Sequence, residues 1–238
     1  MQDSYVGDIG DFGKYGLLRQ INRTPLRLAV NWYHVFQQKP GKQNDGKFID
    51  YLTSPNQYRR YDPKLFDVLR KIVVEEASRS LHEIEKSNII EADFYSEVIS
   101  GNRSRWHQNA IIGTRKADVV FLDPDNGLET EHMHQRDSAT EKHVKWDELK
   151  DYYDRGQSVI LYQHRPQMTK KDICIQSILT MNDGFLCADH VYLLEFPRYT
   201  NRFYFFFVHH DHSAVLKQVC DFMDKNWDGL CRQIDFDE

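Results

Sequence analysis

The sequence of 238 residues has few cysteines and no long apolar run. None of the cysteines forms a C-x-x-C pair, and all lie in the last third of the chain: Cys174, Cys187, Cys220 and Cys231. This argues against a disulfide framework or a cysteine zinc site and predicts reduced, mostly buried thiols. No apolar segment approaches the ~18 residues of a membrane span. The polar start M-Q-D-S-Y-V-G-D does not resemble a signal peptide, so we expect a cytoplasmic protein with no membrane partner.

The chain also lacks an excess of positive charge. Its formal net charge is -5, so the composition gives no general signal for nucleic-acid binding. Two common motifs, G-x-G-x-x-G and G-x-S-x-G, are absent. Glycines instead recur every three residues near the start, at Gly7, Gly10, Gly13 and Gly16. Asp11 is predicted to cap a helix in this segment, and we expect the glycines to permit close approach of the backbone to a ligand.

Apolar runs alternate with helical periodicities along most of the chain. Strands are predicted at residues 26–36, 89–90, 119–123, 158–162, 191–196 and 203–209. Helices are predicted between most of these runs, and a final helix is predicted at residues 213–227. The pattern predicts an α/β fold with a mostly parallel sheet and an antiparallel C-terminal hairpin. We expect a single domain over residues 1–238, with an N-terminal arm over about residues 1–24.

Polar side chains follow several of the predicted strands. Asn31 and Asp93 lie at or after the first two strands, and the sequence Asp123-Pro124-Asp125-Asn126 follows the third. Gln163 and His164 follow the fourth. Because the carboxyl ends of parallel strands share one edge of a sheet, we expect these groups to meet along one rim, where ligands bind in open α/β sheets.

Three blocks of the sequence carry a resemblance to a known family. They are G-D-F-G-K-Y-G-L-L near the start, A-D-F-Y at residues 92–95, and F-L-D-P-D-N at residues 121–126. D-P-D-N after a buried strand resembles the D/N-P-P-Y motif of class I S-adenosylmethionine-dependent amino-methyltransferases. In their order, the blocks resemble bacterial large-subunit ribosomal RNA adenine-N6 methyltransferases. Asp125 and Asn126 stand where that family has Pro and Tyr. The resemblance implies a Rossmann-like fold of the class I methyltransferase type.

The resemblance also implies a reaction and roles for residues. The cofactor would be S-adenosylmethionine, and the acceptor would be an amino group of a base in RNA or DNA. Asp123 and the Pro124 carbonyl would accept the N–H bonds of that amine, with Asn126 as the second catalytic side chain. Asp125 and His164 would bind the substrate. The residues expected to bind the cofactor are Lys14, Tyr15, Asn31, Asp93, Phe94 and Asp123.

Two alternatives from other classes remain open. An apolar strand followed by D-x-D also resembles haloacid-dehalogenase-like phosphotransferases, in which Asp123 would be the nucleophile and Asp125 the acid/base beside Mg²⁺. The second alternative is a non-catalytic module that binds nucleic acid or a partner. It rests on the basic and aromatic stretches at residues 58–61 and 103–107. Separately, a loop at residues 37–47 carries three lysines that could bind a phosphate.

Histidines cluster twice, at His132 and His134 and at His209, His210 and His212. The first cluster has no cysteine or carboxylate cluster beside it, and the second has no nearby acid apart from Asp211, whereas a typical metal site needs such partners. We therefore predict structural roles for these histidines and no bound metal ion.

Overall fold

A seven-stranded sheet forms the centre of the protein. The structure is a computed structural model that describes residues 1–35, 46–165, 169–199 and 201–236. In this part of the chain the strands are β1 (Leu28–Asn31), β2 (Asp93–Tyr95), β3 (Val119–Leu122), β4 (Gly127–Leu128), β5 (His143–Val144), β6 (Ser158–His164), β7 (His190–Phe196), β8 (Arg202–Val208) and β9 (Arg232–Gln233). The order in the sheet is β2-β1-β3-β6-β8-β7-β9, and β4 pairs separately with β5.

Strand directions confirm the predicted fold class. Strands β2, β1, β3 and β6 are parallel to their neighbours, whereas β8 is antiparallel to both β6 and β7. β7 and β8 form the predicted C-terminal hairpin, and the sheet is mostly parallel and Rossmann-like. β1 pairs with the later strands β2 and β3 on its two sides, so the order of connection reverses there. Such a reversal creates a crevice at the carboxyl ends of the strands.

Helices cover both faces of the sheet. They are α1 (Ile9–Ile21), α2 (Pro55–Tyr58), α3 (Pro63–Arg70), α4 (Leu81–Lys86), α5 (Arg103–Gly113), α6 (Glu131–Gln135), α7 (Trp146–Tyr153), α8 (Lys171–Met181) and α9 (His210–Asn226). One buried cluster holds apolar side chains of α1, α3, α4 and α9, and a second holds those of α5, α7 and α8. Among the described residues, no helix has both the length and the apolar character needed to cross a membrane.

The glycine-rich helix α1 shows why its glycines recur every three residues. A Cβ atom at Gly10 would lie 2.3 Å from the Arg202 side chain, and one at Gly13 would lie 2.5 Å from the Phe196 ring. One at Gly16 would lie 2.2 Å from the indole of Trp227. The glycines thus allow α1 to pack closely against β7, β8 and the end of α9. The expectation that they admit a ligand is wrong for Gly13 and Gly16, where protein side chains take that space.

We expect Gly16→Ala to lower the free energy of unfolding by about 1–2 kcal/mol. Overpacking a filled core costs about 1–3 kcal/mol, and the higher helix propensity of alanine returns at most about 1 kcal/mol. Urea unfolding followed by circular dichroism measures the change. Gly184→Ala is the matched control, because a Cβ atom there meets nothing within 4 Å. Equal stability of both variants and the wild type would contradict the close packing of α1.

Several predicted boundaries differ from the observed ones. The predicted first strand, residues 26–36, forms a ladder only at β1, and residue 36 lies outside the described part, as do residues 37–45 of the lysine-containing loop. The strand predicted at Ile89 and Ile90 is wrong, since β2 begins at Asp93. Arg19 donates to the Ile89 carbonyl at 2.6 Å, and Ser87 accepts from its N–H at 3.3 Å. Ile89 and Ile90 are therefore buried apolar residues outside the sheet, and in sequence such a pair resembles a short strand.

The start of α9 and the end of β6 also differ from the prediction. α9 begins at His210 rather than at Ser213, so two of the three clustered histidines lie in its first turn. β6 continues through Gln163 and His164, which were predicted to follow the strand. The pairing of His164 with Arg202 explains the extension, because β8 supplies a partner up to that residue.

Candidate active site

A cavity of about 410 Å³ opens at the carboxyl edge of the parallel strands. The turn after β3, the end of β6, the start of β8 and the first turns of α1 contribute to its walls. Five of the nine predicted site residues line it: Lys14, Asp123, Asp125, Asn126 and His164. The structure thus brings the early glycine-rich segment and the D-P-D-N turn to one site, although 109 residues separate Lys14 from Asp123.

Lys14 forms the floor of this cavity with two carboxylates. Its Nζ lies 2.7 Å from Asp123 Oδ2 and 2.7 Å from Asp11 Oδ1, and the three side chains are at least 95% buried. Burial alone would lower the pKa of Lys14, but the charges of Asp11 and Asp123 outweigh it and raise that pKa. Burial raises the pKa of the Asp123 carboxyl, and the Lys14 ammonium opposes this rise. Lys14 therefore remains a cation that holds Asp123 in place.

Asp11 positions this pair rather than capping the helix. The capping residue of α1 is Asp8, whose Oδ1 accepts from the Asp11 N–H at 2.9 Å. The second oxygen of Asp11 accepts from the Tyr15 hydroxyl and from the Gly7 N–H, both at 3.0 Å. The predicted cap at Asp11 is therefore wrong by one turn, and the carboxylate serves the buried lysine instead.

Aromatic rings surround the Lys14 ammonium. Its Nζ lies 5.5 Å from the centre of the Tyr15 ring and 5.9 Å from the rings of both Trp32 and Tyr162. Tyr162 lines the cavity, and burial raises the pKa of its hydroxyl to about 12. A cation held near aromatic faces gains further attraction, so the rings and the carboxylates both favour the charged lysine.

The D-P-D-N turn presents its polar atoms along the cavity wall. Asp125 Oδ2 accepts from Gln2 Nε2 at 2.6 Å and lies 3.9 Å from Lys142 Nζ. The carbonyl of Asp123 and the carboxylate of Asp125 also contact the Met1 amino group, at 3.2 and 3.0 Å. Asn126 is exposed, and its Nδ2 lies 3.3 Å from His143 Nε2. The carboxylate of Asp123 therefore pairs with Lys14, whereas that of Asp125 contacts Gln2, Lys142 and the Met1 amino group.

The sequence analysis missed Arg202, which lines the cavity opposite the D-P-D-N turn. Its Nη2 lies 3.3 Å from Asp8 Oδ2 and its Nη1 donates to the Arg198 carbonyl at 3.0 Å. Because β8 is antiparallel, its first residue reaches the edge where the parallel strands end, and Arg202 pairs with His164. Burial and the charge of Arg202 lower the pKa of His164. The predicted hairpin was the available signal, since it places the first residue of its second strand at this edge.

Four predicted cofactor residues do not line the cavity. Tyr15 is fully buried with its hydroxyl on Asp11. Asn31 is fully buried, and its amide bonds the Tyr152 hydroxyl at 3.0 Å and the Tyr33 N–H at 3.1 Å. Asp93 is exposed at the amino end of β2, beside Ala29 rather than Asn31. Phe94 stacks on Trp32, with ring centres 5.8 Å apart. The expectation that Asp93 follows a strand was wrong, because β2 begins at Asp93, three residues after the end of the predicted strand.

The stretch at residues 103–107 has a structural role. Arg103 forms a bidentate pair with Glu148 at 2.6 and 2.9 Å, and Trp106 is buried. The histidine clusters also bond to neighbouring protein groups: His134 to Glu129 at 3.0 Å, His209 to the Tyr153 carbonyl at 2.8 Å and His212 to Ser158 at 2.9 Å. Within the described ranges, no group of three or more His, Cys, Asp or Glu side chains is arranged to hold a metal ion.

The fold and the cavity define a Rossmann-like α/β protein with a buried Lys–Asp pair at the reversal of its strand order. No family model matches the chain, and no curated protein matches it either.

Proposed function

We propose that this protein is an S-adenosylmethionine-dependent methyltransferase that acts on an amino group of a nucleic-acid base. The observation that carries the proposal is the meeting of Lys14 with Asp123 on the floor of a cavity at the carboxyl edge of the sheet. Two of the three sequence blocks that resemble amino-methyltransferases supply these residues. A shared cofactor site requires these two blocks to lie together in the structure, whereas a chance resemblance in sequence does not.

The chemistry of the cavity fits the cofactor. S-adenosylmethionine combines an aromatic nucleoside with a positively charged sulfur and an amino-acid group that carries both signs of charge. The volume lies within the ~300–1,000 Å³ of small-molecule sites. The charged side chains of the lining are balanced in sign: Asp8, Asp11, Asp123, Asp125, Lys14, Lys47, Lys142 and Arg202. Phe48 and Tyr162 offer apolar ring surfaces. Tyr162, Arg202 and the predicted residues Lys14 and Asp123 would hold the cofactor, which when bound supplies an electrophilic methyl group.

Asp123 is suited to activate an amine. The lone pair of an exocyclic amine is delocalised into the base, so the amine is a poor nucleophile until its N–H groups are bonded. Lys14 Nζ donates a hydrogen bond to Asp123 Oδ2 at 2.7 Å, and no described residue donates to Oδ1. Oδ1 and the Pro124 carbonyl would accept the two N–H bonds and localise the lone pair on nitrogen. Fixing both acceptors before the reaction lowers its barrier through positioning and electrostatics.

The environment of Asp123 also suits it to take up the proton. The amine would lose one proton as the new N–C bond forms and the sulfur–methyl bond breaks, with its electron pair left on sulfur. A carboxylate whose pKa is raised by burial holds a proton more readily than an exposed one. The Lys14 ammonium limits this effect, because its charge favours the ionised carboxylate. Asp123 therefore begins the reaction as an acceptor and can then pass the proton to water at the cavity opening.

Calorimetry with S-adenosylmethionine and S-adenosylhomocysteine tests the proposal directly. We expect saturable binding of both, and we expect Tyr162→Leu to weaken it about tenfold, because the substitution removes an aromatic wall worth about 1–1.5 kcal/mol. Asp93→Ala is the matched control and should bind like the wild type, since Asp93 lies outside the cavity. Absence of binding to both compounds, or equal affinity in Tyr162→Leu, would overturn the proposed cofactor site.

A further inference from the structure

A row of aromatic and basic side chains lies at the mouth of the cavity. The rings of Phe48 and Tyr199 stack face to face, with centres 4.3 Å apart and planes 5° apart. Lys47 Nζ lies 5.3 Å from the Phe48 ring, and the Arg198 guanidinium lies 5.1 Å from the Tyr199 ring. We call these four residues the aromatic platform. Tyr199 is 58% exposed, and no other Tyr, Phe or Trp in the described part of the chain is exposed.

The backbone at Tyr199 is strained. Its φ is +61°, a conformation that bulky side chains rarely adopt. The residue lies in the turn between β7 and β8, where glycine or asparagine would fit without strain. Strained residues cluster at functional sites, and the exposed ring of Tyr199 contributes little to the core. The two features together favour a binding role for Tyr199.

The aromatic platform continues into the cavity. Lys47 and Phe48 belong to the cavity lining, and Arg202 donates to the Arg198 carbonyl at 3.0 Å. In the other direction, Arg198 Nη2 donates to the Tyr58 hydroxyl at 2.9 Å. The neighbouring Arg60 is exposed, and its guanidinium lies 4.8 Å from the Tyr61 ring. The basic and aromatic stretch at residues 58–61 therefore extends the platform away from the cavity.

We propose that the aromatic platform binds a single-stranded nucleic acid, with Tyr199 stacked on a base that flanks the nucleotide in the cavity. This inference deepens the proposed function and rests on it. Aromatic rings stack on bases of any sequence, and cations beside them attract the phosphate backbone. A base in a duplex has no free face, so the strand must be unpaired where it meets Tyr199. Lys47 and Arg198, which lie 5.3 and 5.1 Å from the centres of the Phe48 and Tyr199 rings, supply that positive charge.

Fluorescence anisotropy with short labelled oligonucleotides tests the inference without any cofactor. Single-stranded RNA, single-stranded DNA and a duplex of the same sequence are compared at two salt concentrations. We expect single strands to bind more tightly than the duplex and to bind less tightly at higher salt. The preferred single strand identifies whether RNA or DNA is the partner. Tyr199→Asn should weaken binding about 5- to 100-fold, because it removes the stacking ring.

Three controls separate stacking from folding. Asparagine tolerates the backbone at residue 199, so Tyr199→Asn should melt at or above the wild-type temperature. Tyr199→Phe should keep wild-type affinity, as should Ile112→Asn, which changes a side chain of equal exposure on α5. Equal affinity of Tyr199→Asn and the wild type, or no preference for single strands, would overturn the inference. Since these measurements need no cofactor, failure of the proposed function would show instead as absent S-adenosylmethionine binding with intact, Tyr199-dependent oligonucleotide binding.

Discussion

Lys14→Met is expected to lower the free energy of unfolding by about 3–5 kcal/mol, because it leaves buried carboxylates without their cation. Asp123 and Asp11 each lie 2.7 Å from Lys14 Nζ, and the three side chains are at least 95% buried, so water compensates the carboxylates poorly once the ammonium is removed. The raised pKa of Lys14 determines how its contribution to the free energy of unfolding depends on pH. Its contribution is fully present below the ordinary lysine pKa and is lost only as the pH rises through the higher folded-state value. Urea unfolding at neutral pH measures the loss.

Two variants test the cause of that loss. Lys217→Met removes an exposed lysine that pairs with Asp221 one helical turn away, and exposed pairs contribute only about 0–1 kcal/mol. The double variant Lys14→Met with Asp123→Asn should recover part of the stability, because the second change removes one of the uncompensated charges. A loss in Lys14→Met no larger than that in Lys217→Met would show that the buried pair does not stabilise the fold.

The sequence predicted the structure correctly where neighbouring residues along the chain decide it. An apolar run followed by Asp123-Pro124 predicts the end of β3, because proline cannot continue the ladder. The chain direction of each strand followed from alternation of strands and helices, so the edge that carries Asp123 and His164 could be anticipated. The placement of Lys14 and Asp123 at one site was anticipated only through the family resemblance, and their ion pair was not predicted, since residues 109 positions apart carry no mutual signal in one sequence.

Prediction was less successful where tertiary pairing decides the structure. Asp93 was expected at a strand end, but the register with β1 places it at the start of β2. Asn31 was expected to face a ligand, yet its amide bonds the hydroxyl of Tyr152 on α7 and the N–H of Tyr33, two residues further along the chain. Arg202 was missed because its place at the cavity depends on the antiparallel insertion of β8 beside β6. The errors at Asp93 and Arg202 concern how the strands pair, and this pairing depends on the whole sheet rather than on local sequence.

Asp123→Asn is expected to reduce methyl transfer at least about 100-fold, the usual effect of removing one preorganised electrostatic group. Asparagine keeps the shape and one oxygen acceptor but removes the negative charge that would attract the N–H groups. It also offers no oxygen able to take up the proton. Lys14 retains Asp11 at 2.7 Å, so the floor of the cavity keeps one of its two ion pairs. The assay follows transfer of a labelled methyl group from S-adenosylmethionine to short single-stranded RNA and DNA that contain all four bases.

Asp118→Asn is the matched control for this substitution. Asp118 precedes β3 and Asp123 follows it, so the two variants change the same side chain at opposite ends of one strand. Asp118 pairs with the exposed Arg27, away from the cavity, and its loss should leave the transfer rate unchanged. Binding of S-adenosylhomocysteine to Asp123→Asn separates a defect in reaction from a defect in cofactor binding. If Asp123→Asn binds that compound and transfers the methyl group at the wild-type rate, Asp123 does not activate the amine and the mechanism is wrong.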